Sequence, residues 1–309
     1  MPSKARKPLR RSASGGRSSM VSESEAFCPG HVTAFFEVVD DLDPRRKGSR
    51  GAGLCLSLGV RTVARVREAP RTMIDIFVNG RRQKAEVTQT VAEKIVRDAS
   101  FEVKILSESP LPVSQGFGVS GAGALSTALA LDDALGRGTP REELVAIAHE
   151  AEVECGTGLG DVVPASLGGM DLRWKPGAPG HGEVRKIPVE ADLLLAVLGP
   201  EIPTRSVIRD AKKVAGINRA GSACVEEFAK GPSLERLFAL GARFAEESGL
   251  ASKTVLEVIR ASRMFGRATM AMLGNSVFAT GNREQLATLY LKFGTLLRCE
   301  VDNVGARVL

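Results

Sequence analysis

The sequence predicts an α+β fold in two domains. Three observations carry this expectation. Strand and helix signals alternate through the first half around a glycine-rich loop that runs into an Ala/Leu-rich helix. A Pro/Gly-rich stretch, Lys175 to Gly182, interrupts the pattern. Helical spacing then dominates from Thr204 onward, with short apolar strands inside it. The boundaries expected from this are a disordered tail over 1–24, a first domain over 25–180 and a second over 181–309. A chain of 309 residues suits two domains of ordinary size.

Taken in order, Ala26 to Glu37 reads as a strand, a Pro29-Gly30 turn and an apolar stretch with Thr33, Phe35 and Phe36. Asp40 to Gly53 reads as a polar loop. Leu54 to Val66 and Thr72 to Val78 read as strands, with Asn79-Gly80 as a hairpin turn. Val87 to Ala99 has helical spacing, and Phe101 to Leu106 alternates as a strand. The glycine loop and its helix follow, to Gly136. Thr139 as N-cap with Pro140 in the first turn opens the next helix, which ends at Gly156. Gly156 to Ser166 reads as a loop and Gly168 to Trp174 as a strand. After the Pro/Gly stretch, Leu193 to Leu198 is a buried strand. Helices are expected near 205–230, 233–247, 252–264 and 283–291, and strands at Val277 to Ala279 and Leu296 to Val301.

Composition narrows the function. The chain is 43% hydrophobic and 25% charged, as globular chains are. The net charge of +6 comes from the tail: residues 1–20 hold Lys4, Arg6, Lys7, Arg10, Arg11 and Arg17 and no acid. Setting these six aside leaves 36 basic against 36 acidic residues. The remainder is neutral, which argues against a nucleic-acid partner. No apolar run reaches the ~18–20 residues of a membrane span. Five scattered cysteines without Cys-x-x-Cys spacing, and only three histidines, form no zinc pattern and suit the reducing cytoplasm. The oligomeric state is open, a homodimer included.

The stretch Leu111 to Gly136 organises the rest. A glycine loop entering a helix is an anion site, because the first helical amides lack internal partners and the helix dipole favours negative charge there. Gly116-Phe117-Gly118-Val119-Ser120-Gly121 spells the dinucleotide fingerprint. It lies in mid-chain, however, behind the segment Ser107 to Gln115. The acids that follow, Asp132 and Asp133, fall inside the helix instead of at the end of a second strand. The loop also lacks the Gly-Lys-Ser/Thr end of a P-loop.

Pro112-x3-Gly116-Phe117-Gly118-x-Ser120-Gly121-Ala122 resembles the phosphate loop of the galactokinase, homoserine kinase, mevalonate kinase and phosphomevalonate kinase (GHMP) superfamily. Val119-Ser120-Gly121 stands where that superfamily usually has Ser-Ser-Ala. Further blocks are Pro29-Gly30-His31-Val32-Thr33-x-Phe35-Phe36, Gly48-Ser49-Arg50-Gly51-Ala52-Gly53, Ala148-His149-x-Ala151-Glu152-Val153, Thr157-Gly158-Leu159-Gly160-Asp161-Val162-Val163 and Ala271 to Ala279. Together, over about 25–309, they resemble the archaeal pantoate kinase family.

The resemblance implies a two-domain GHMP-kinase-like fold. Its N-terminal α/β domain is like domain 2 of ribosomal protein S5 and carries the phosphate loop; its C-terminal domain is α+β. It implies ATP and Mg²⁺ as cofactors, pantoate as the small-molecule substrate and its primary hydroxyl as phosphoryl acceptor, an early step of coenzyme A synthesis. Another small-alcohol kinase, acting on mevalonate, homoserine or shikimate, is the alternative, and an NAD(P)-dependent oxidoreductase the alternative of a different class.

Roles follow on the matched positions. The backbone from Gly116 to Ala122, with Pro112 ahead of it, would cradle the ATP phosphates. Asp161 would take the hydroxyl proton. Ser120 and a helical carboxylate would face Mg²⁺, which needs few protein ligands. The family block selects Glu152 for that carboxylate; the longer spacing in other superfamily members selects Glu150. Substrate candidates are Ser49, Arg50, His31, His149 and Arg173, because a carboxylate substrate needs a cation or several donors. His149 is also a catalytic candidate. Gly274-Asn275 is expected to shape the site, and Trp174 and Tyr290 to serve packing.

Overall fold

In a computed structural model, the structure describes residues 21–97, 100–202 and 204–309. The basic segment 1–20 lies outside the described residues, and Ser22 already begins the first strand. The elements run β1 (Ser22–Val39), β2 (Gly48–Glu68), β3 (Met73–Val78), β4 (Arg81–Arg82), α1 (Glu86–Val96), β5 (Phe101–Glu108), α2 (Val119–Leu135), α3 (Arg141–Cys155), α4 (Val162–Leu167), β6 (Met170–Lys175), β7 (Glu183–Ile187), β8 (Asp192–Val197), α5 (Thr204–Ile208), α6 (Ala211–Ala229), α7 (Leu234–Glu247), α8 (Lys253–Ser262), β9 (Gly266–Met270), β10 (Ser276–Gly281), α9 (Arg283–Tyr290), β11 (Thr295–Glu300) and β12 (Arg307–Val308).

Two sheets result. The larger runs β12-β1-β2-β5-β3-β4, with β6 pairing β2 and β7 pairing β6; the smaller runs β11-β8-β10-β9. β2 is long enough to serve two partners on one edge: residues 51–54 pair β6 and residues 61–68 pair β5. The hairpin at Asn79-Gly80 has positive φ at both residues, as its tight turn requires. Helix α2 is apolar all round and buried along most of its length, so it becomes the central helix of the larger sheet's core. Among the described residues no helix is long and apolar enough to cross a membrane.

Several expectations need correction. Pro29-Gly30 is no turn: β1 continues through it, and the register against β2 shifts between Pro29 and His31, a bulge that absorbs the proline. Gly48 to Gly53 has loop composition yet is strand, antiparallel to the end of β1. Thr139 does not cap α3; Pro140 occupies that position without a side-chain cap, and the Thr139 amide donates to Asp132. The stretch 156–166 contains the start of α4. Lys175 to Gly182 is the turn between β6 and β7, so the larger sheet extends past residue 180 to Ile187. The C-terminal β12 then returns to β1. A Pro/Gly-rich stretch marks a hairpin turn and a linker alike, and here it is a hairpin turn.

Candidate active site

The glycine loop reaches α2 through two left-handed glycines, Gly116 (φ 75°) and Gly118 (φ 64°). Glycine is also required by proximity: a Cβ on Gly118 would lie 2.9 Å from the His31 backbone nitrogen, and one on Gly116 2.6 Å from the Met272 carbonyl. Buried Phe117 pins the loop, and its carbonyl accepts the His31 amide at 3.0 Å. Helix α2 starts without a side-chain cap or an acid in its first turn, so its leading amides and positive dipole end stay available to an anion. They open onto a cavity of about 310 Å³, walled by Gly116 to Ser120, Gly156 to Asp161, Thr33, Ser49, Glu152 and Arg173 and others. Of the predicted phosphate-loop residues, Pro112, Gly121 and Ala122 do not line it.

Glu152 projects from the last turn of α3 and is only 3% exposed. Two glycines make room for it: a Cβ on Gly121 would sit 2.8 Å from its Oε2, and one on Gly158 would overlap the same carboxylate. Thr157 Oγ1 donates to Glu152 Oε1 at 3.4 Å, and Ser120 Oγ to Thr157 Oγ1 at 3.2 Å. Burial, reinforced by the charge of Asp161, pushes the Glu152 carboxyl up to about 8. A buried carboxylate beside two hydroxyls is a hard-oxygen set that a divalent cation would keep ionised, so the residues present fit Mg²⁺.

Glu150, two residues earlier, faces elsewhere. It is ion-paired with Arg45 and, at 2.9 Å, with Lys94, and these cations hold its carboxyl low against the opposing effect of burial. It does not line the cavity. Neither does His149, whose Nε2 donates to the Lys47 carbonyl at 2.9 Å and whose burial lowers its pKa. Arg50 is also turned away. It pairs with Glu37 and Glu226, donates to the Trp174 carbonyl and lies 4.6 Å over the Trp174 ring. Tyr290 is core, its hydroxyl 2.9 Å from Ser262.

Asp161 precedes α4 but makes no capping bond. Its side chain is 31% exposed, and its protein contacts converge on one oxygen. Oδ1 lies 2.9 Å from His31 Nδ1, 3.3 Å from Thr33 Oγ1 and 3.7 Å from Arg173 Nη1. Although burial opposes ionisation, His31 and Arg173 hold the carboxyl below its ordinary value. Asp161 is therefore held as a carboxylate, and its protein contacts leave Oδ2 toward the cavity.

Sequence reasoning missed Thr33, Thr157, Asp171 and Arg205. Thr157 had a signal, being the first residue of the Thr-Gly-Leu-Gly-Asp block. Asp171 and Arg205 had none. Arg205 reaches the cavity rim from α5, where its Nε donates to the Cys155 carbonyl at the end of α3.

A curated pantoate kinase from Thermococcus kodakarensis is 38% identical to this chain, over 84% of the chain and 88% of that protein. The chain belongs to the pantoate kinase family. A second member, from Methanocaldococcus jannaschii, is 32% identical over 84% of the chain and 93% of its own length. The family model for the GHMP kinase N-terminal domain matches residues 85–169, from α1 through the glycine loop, Glu152 and Asp161. A solved structure described as a phosphotransferase related to the CoA biosynthesis pathway superposes with a TM-score of 0.85 at 33% identity, covering 93% of this chain and 98% of that one. The fold is thus a GHMP kinase fold, and the dinucleotide spelling of the loop is a coincidence of spacing.

Proposed function

We propose that this chain transfers the γ-phosphoryl group of ATP to the primary hydroxyl of pantoate, giving 4-phosphopantoate and ADP. Family membership supports the substrate. The observation that carries the chemistry is the convergence on one cavity of an uncapped helix N-terminus, a buried Glu152 with two hydroxyls, and a carboxylate with one oxygen free.

Phosphoryl transfer needs positioning and charge stabilisation more than covalent chemistry. The amides from Gly116 to Ser120 hold phosphate oxygens. Glu152 and Ser120, linked through Thr157, would hold Mg²⁺, whose chemistry there would be to neutralise charge on the phosphates. Arg173 and Ser49, both on the cavity wall, receive the pantoate carboxylate. Asp161 accepts the hydroxyl proton on Oδ2 as the new O–P bond forms and the bond to the ADP oxygen breaks. Glu150, His149 and Arg50 act from outside the cavity: Glu150 braces α3 against Arg45 and Lys94, His149 ties down the loop before Ser49, and Arg50 ties β2 to α6. The cytoplasm is the proposed location, supported by five free cysteines.

The test is ATP turnover, coupled to ADP detection, with pantoate, pantothenate, mevalonate, homoserine and shikimate offered separately. Turnover with pantoate alone, and a phosphate monoester in the product's phosphorus spectrum, is expected. Preference for another acceptor would redirect the reading within the superfamily, and NAD(P) binding without ATP turnover would end it.

A further inference from the structure

Asp171 stands one bond network behind Asp161. It lies on β6, is 1% exposed, and its Oδ1 is 2.6 Å from His31 Nε2. The other ring nitrogen of His31 faces Asp161 Oδ1 at 2.9 Å, and His31 itself is 1% exposed. Both ring nitrogens therefore meet carboxylate oxygens, which only accept when ionised, so the ring satisfies both bonds only by carrying a proton on each nitrogen. Asp171 Oδ2 has no hydrogen-bond partner and lies 3.7 Å from Arg173 Nη1. Arg173 Nη1 is also 3.7 Å from Asp161, and its Nη2 donates to Thr33 Oγ1 at 3.0 Å.

The surroundings are built for this arrangement. A Cβ on Gly53 would lie 2.5 Å from His31 Cε1, and one on Gly51 2.7 Å from Arg173 Nη2. The glycines of β2 thus clear the space in which the two cations lie. The charged groups facing His31 are Asp161 from the loop before α4, and Asp171 and Arg173 from β6. From β2 the titratable neighbour is Cys55, the register partner of His31, whose buried thiol is kept protonated by burial and by the charge of Asp171; the glycine loop contributes the Phe117 carbonyl to the His31 amide. Two carboxylates and two cations balance, so no net charge is buried. An imidazole buried alone would be neutral; here the carboxylates outweigh the burial, and the His31 pKa is raised.

We propose that Asp171 is a positioning residue for phosphoryl transfer: it keeps His31 doubly protonated, and the imidazolium, with Arg173, fixes Asp161 through Oδ1 so that Oδ2 meets the acceptor hydroxyl. This rests on the reading of Asp161 as proton acceptor.

The test uses full-length enzyme labelled with [¹⁵N]histidine. The chain has only three histidines, and His31→Gln assigns the His31 signal. The wild type should show His31 with imidazolium shifts at pH 7, where His149, its pKa lowered by burial, is neutral. Asp171→Asn should lower the His31 titration by more than a pH unit. Its kcat should fall about 10- to 100-fold at pH 8, with KM for both substrates nearly unchanged. That loss should shrink as pH is lowered toward 6 and the ring regains its proton, whereas a packing defect would lower kcat equally at every pH. A neutral His31 in the wild type at pH 7 overturns the proposal even if Asp171→Asn does not fold. A wild-type kcat and pH profile in Asp171→Asn overturns it as well. Asp161→Asn separates the two readings: turnover retained there removes the base itself, while an inactive Asp161→Asn beside a normal Asp171→Asn removes only the positioning role.

Discussion

Glu150 and Glu152 are two residues apart on one helix and have opposite electrostatics. Glu150 sits among cations and is held ionised, whereas Glu152 is walled in by Gly121 and Gly158 and its carboxyl is pushed up to about 8. In the metal-free protein this makes Glu152 a pH-dependent liability. Its folded pKa lies above the ordinary 4.5, so the folded state holds a proton that the unfolded chain releases over the window from about 4.5 to about 8. The stabilisation is complete below that window and is lost as pH rises through it, with a slope approaching ~1.4 kcal/mol per pH unit. Denaturant titrations of the apo-protein between pH 5 and 8 should show falling stability, and Glu152→Gln should flatten the trend. His31 adds a slope of the same sign, so the difference between variant and wild type is the quantity to read. The two glutamates should also separate in catalysis. Glu152→Gln should cost on the order of 10²-fold or more in kcat at fixed Mg²⁺. Glu150→Gln should leave kcat within about 3-fold and cost roughly 1 kcal/mol of stability, as partly exposed ion pairs do. A loss of Mg²⁺ dependence in Glu150→Gln alone would exchange their roles.

At the scale of elements, the two long strands and the glycine loop build the site jointly. The loop and α2 were legible because glycine spacing followed by an apolar run is a local signal. So were α1 and the helices of the second half, whose periodicity repeats within a few turns, although the helix expected near 205–230 is broken at Asp210, which caps α6 after the short α5; α3 was legible from Pro140 at its start. The Gly48 to Gly53 strand was not, because its composition is that of a loop. Its glycines answer to side chains from distant strands: His31 lies against Gly53, and Arg173 against Gly51. The partner of His31, Asp171, is 140 positions away, and no local period encodes that pairing. A direct consequence concerns Gly53→Ala. The new methyl would overlap His31 Cε1, so the ring or the strand must move. Stability should fall by about 1–3 kcal/mol, as overpacking does, and kcat should fall at least ~10-fold because Asp161 loses its orientation. Thermal melting and steady-state kinetics on the one variant read both effects, and an unchanged kcat in a destabilised enzyme would mean that the β2 glycines serve packing only.

Over the whole molecule, the two sheets share one hydrophobic cluster, while a second cluster lies between the larger sheet and helices α1 to α3. The second half of β1, still paired with β2 in the larger sheet, packs Phe35 and Phe36 against the helices of the second half. The ring of Phe35 lies 5.5 Å from Phe228 on α6, and that of Phe36 5.8 Å from Phe244 on α7. These residues belong to one hydrophobic cluster with Leu54, Met170 and Leu172 of the larger sheet and Leu193 to Ala196 and Val277 to Ala279 of the smaller. The C-terminus then returns: the Ala306 amide donates to the Ala165 carbonyl in α4, and Arg141 bonds the carbonyls of Ser166 and Ala306, fixing the helix that follows Asp161. Neither 25–180 nor 181–309 can bury these faces without the other. The larger segment would leave Phe35 and Phe36 bare and lack β7 and β12, and the smaller would leave α6 and α7 without their floor. Domains with separate cores unfold in separate steps, whereas a shared core couples them. Calorimetry of the intact chain should therefore show a single transition with calorimetric and van't Hoff enthalpies in agreement. The segment 181–309, expressed apart, should lack cooperative melting, and 25–180, which keeps the cluster around α2 but loses β7, β12 and the cover over Phe35 and Phe36, should melt well below the intact chain. Two resolved transitions, or a folded 181–309 fragment, would mean that the Phe35–Phe228 contact joins two finished domains instead of completing one.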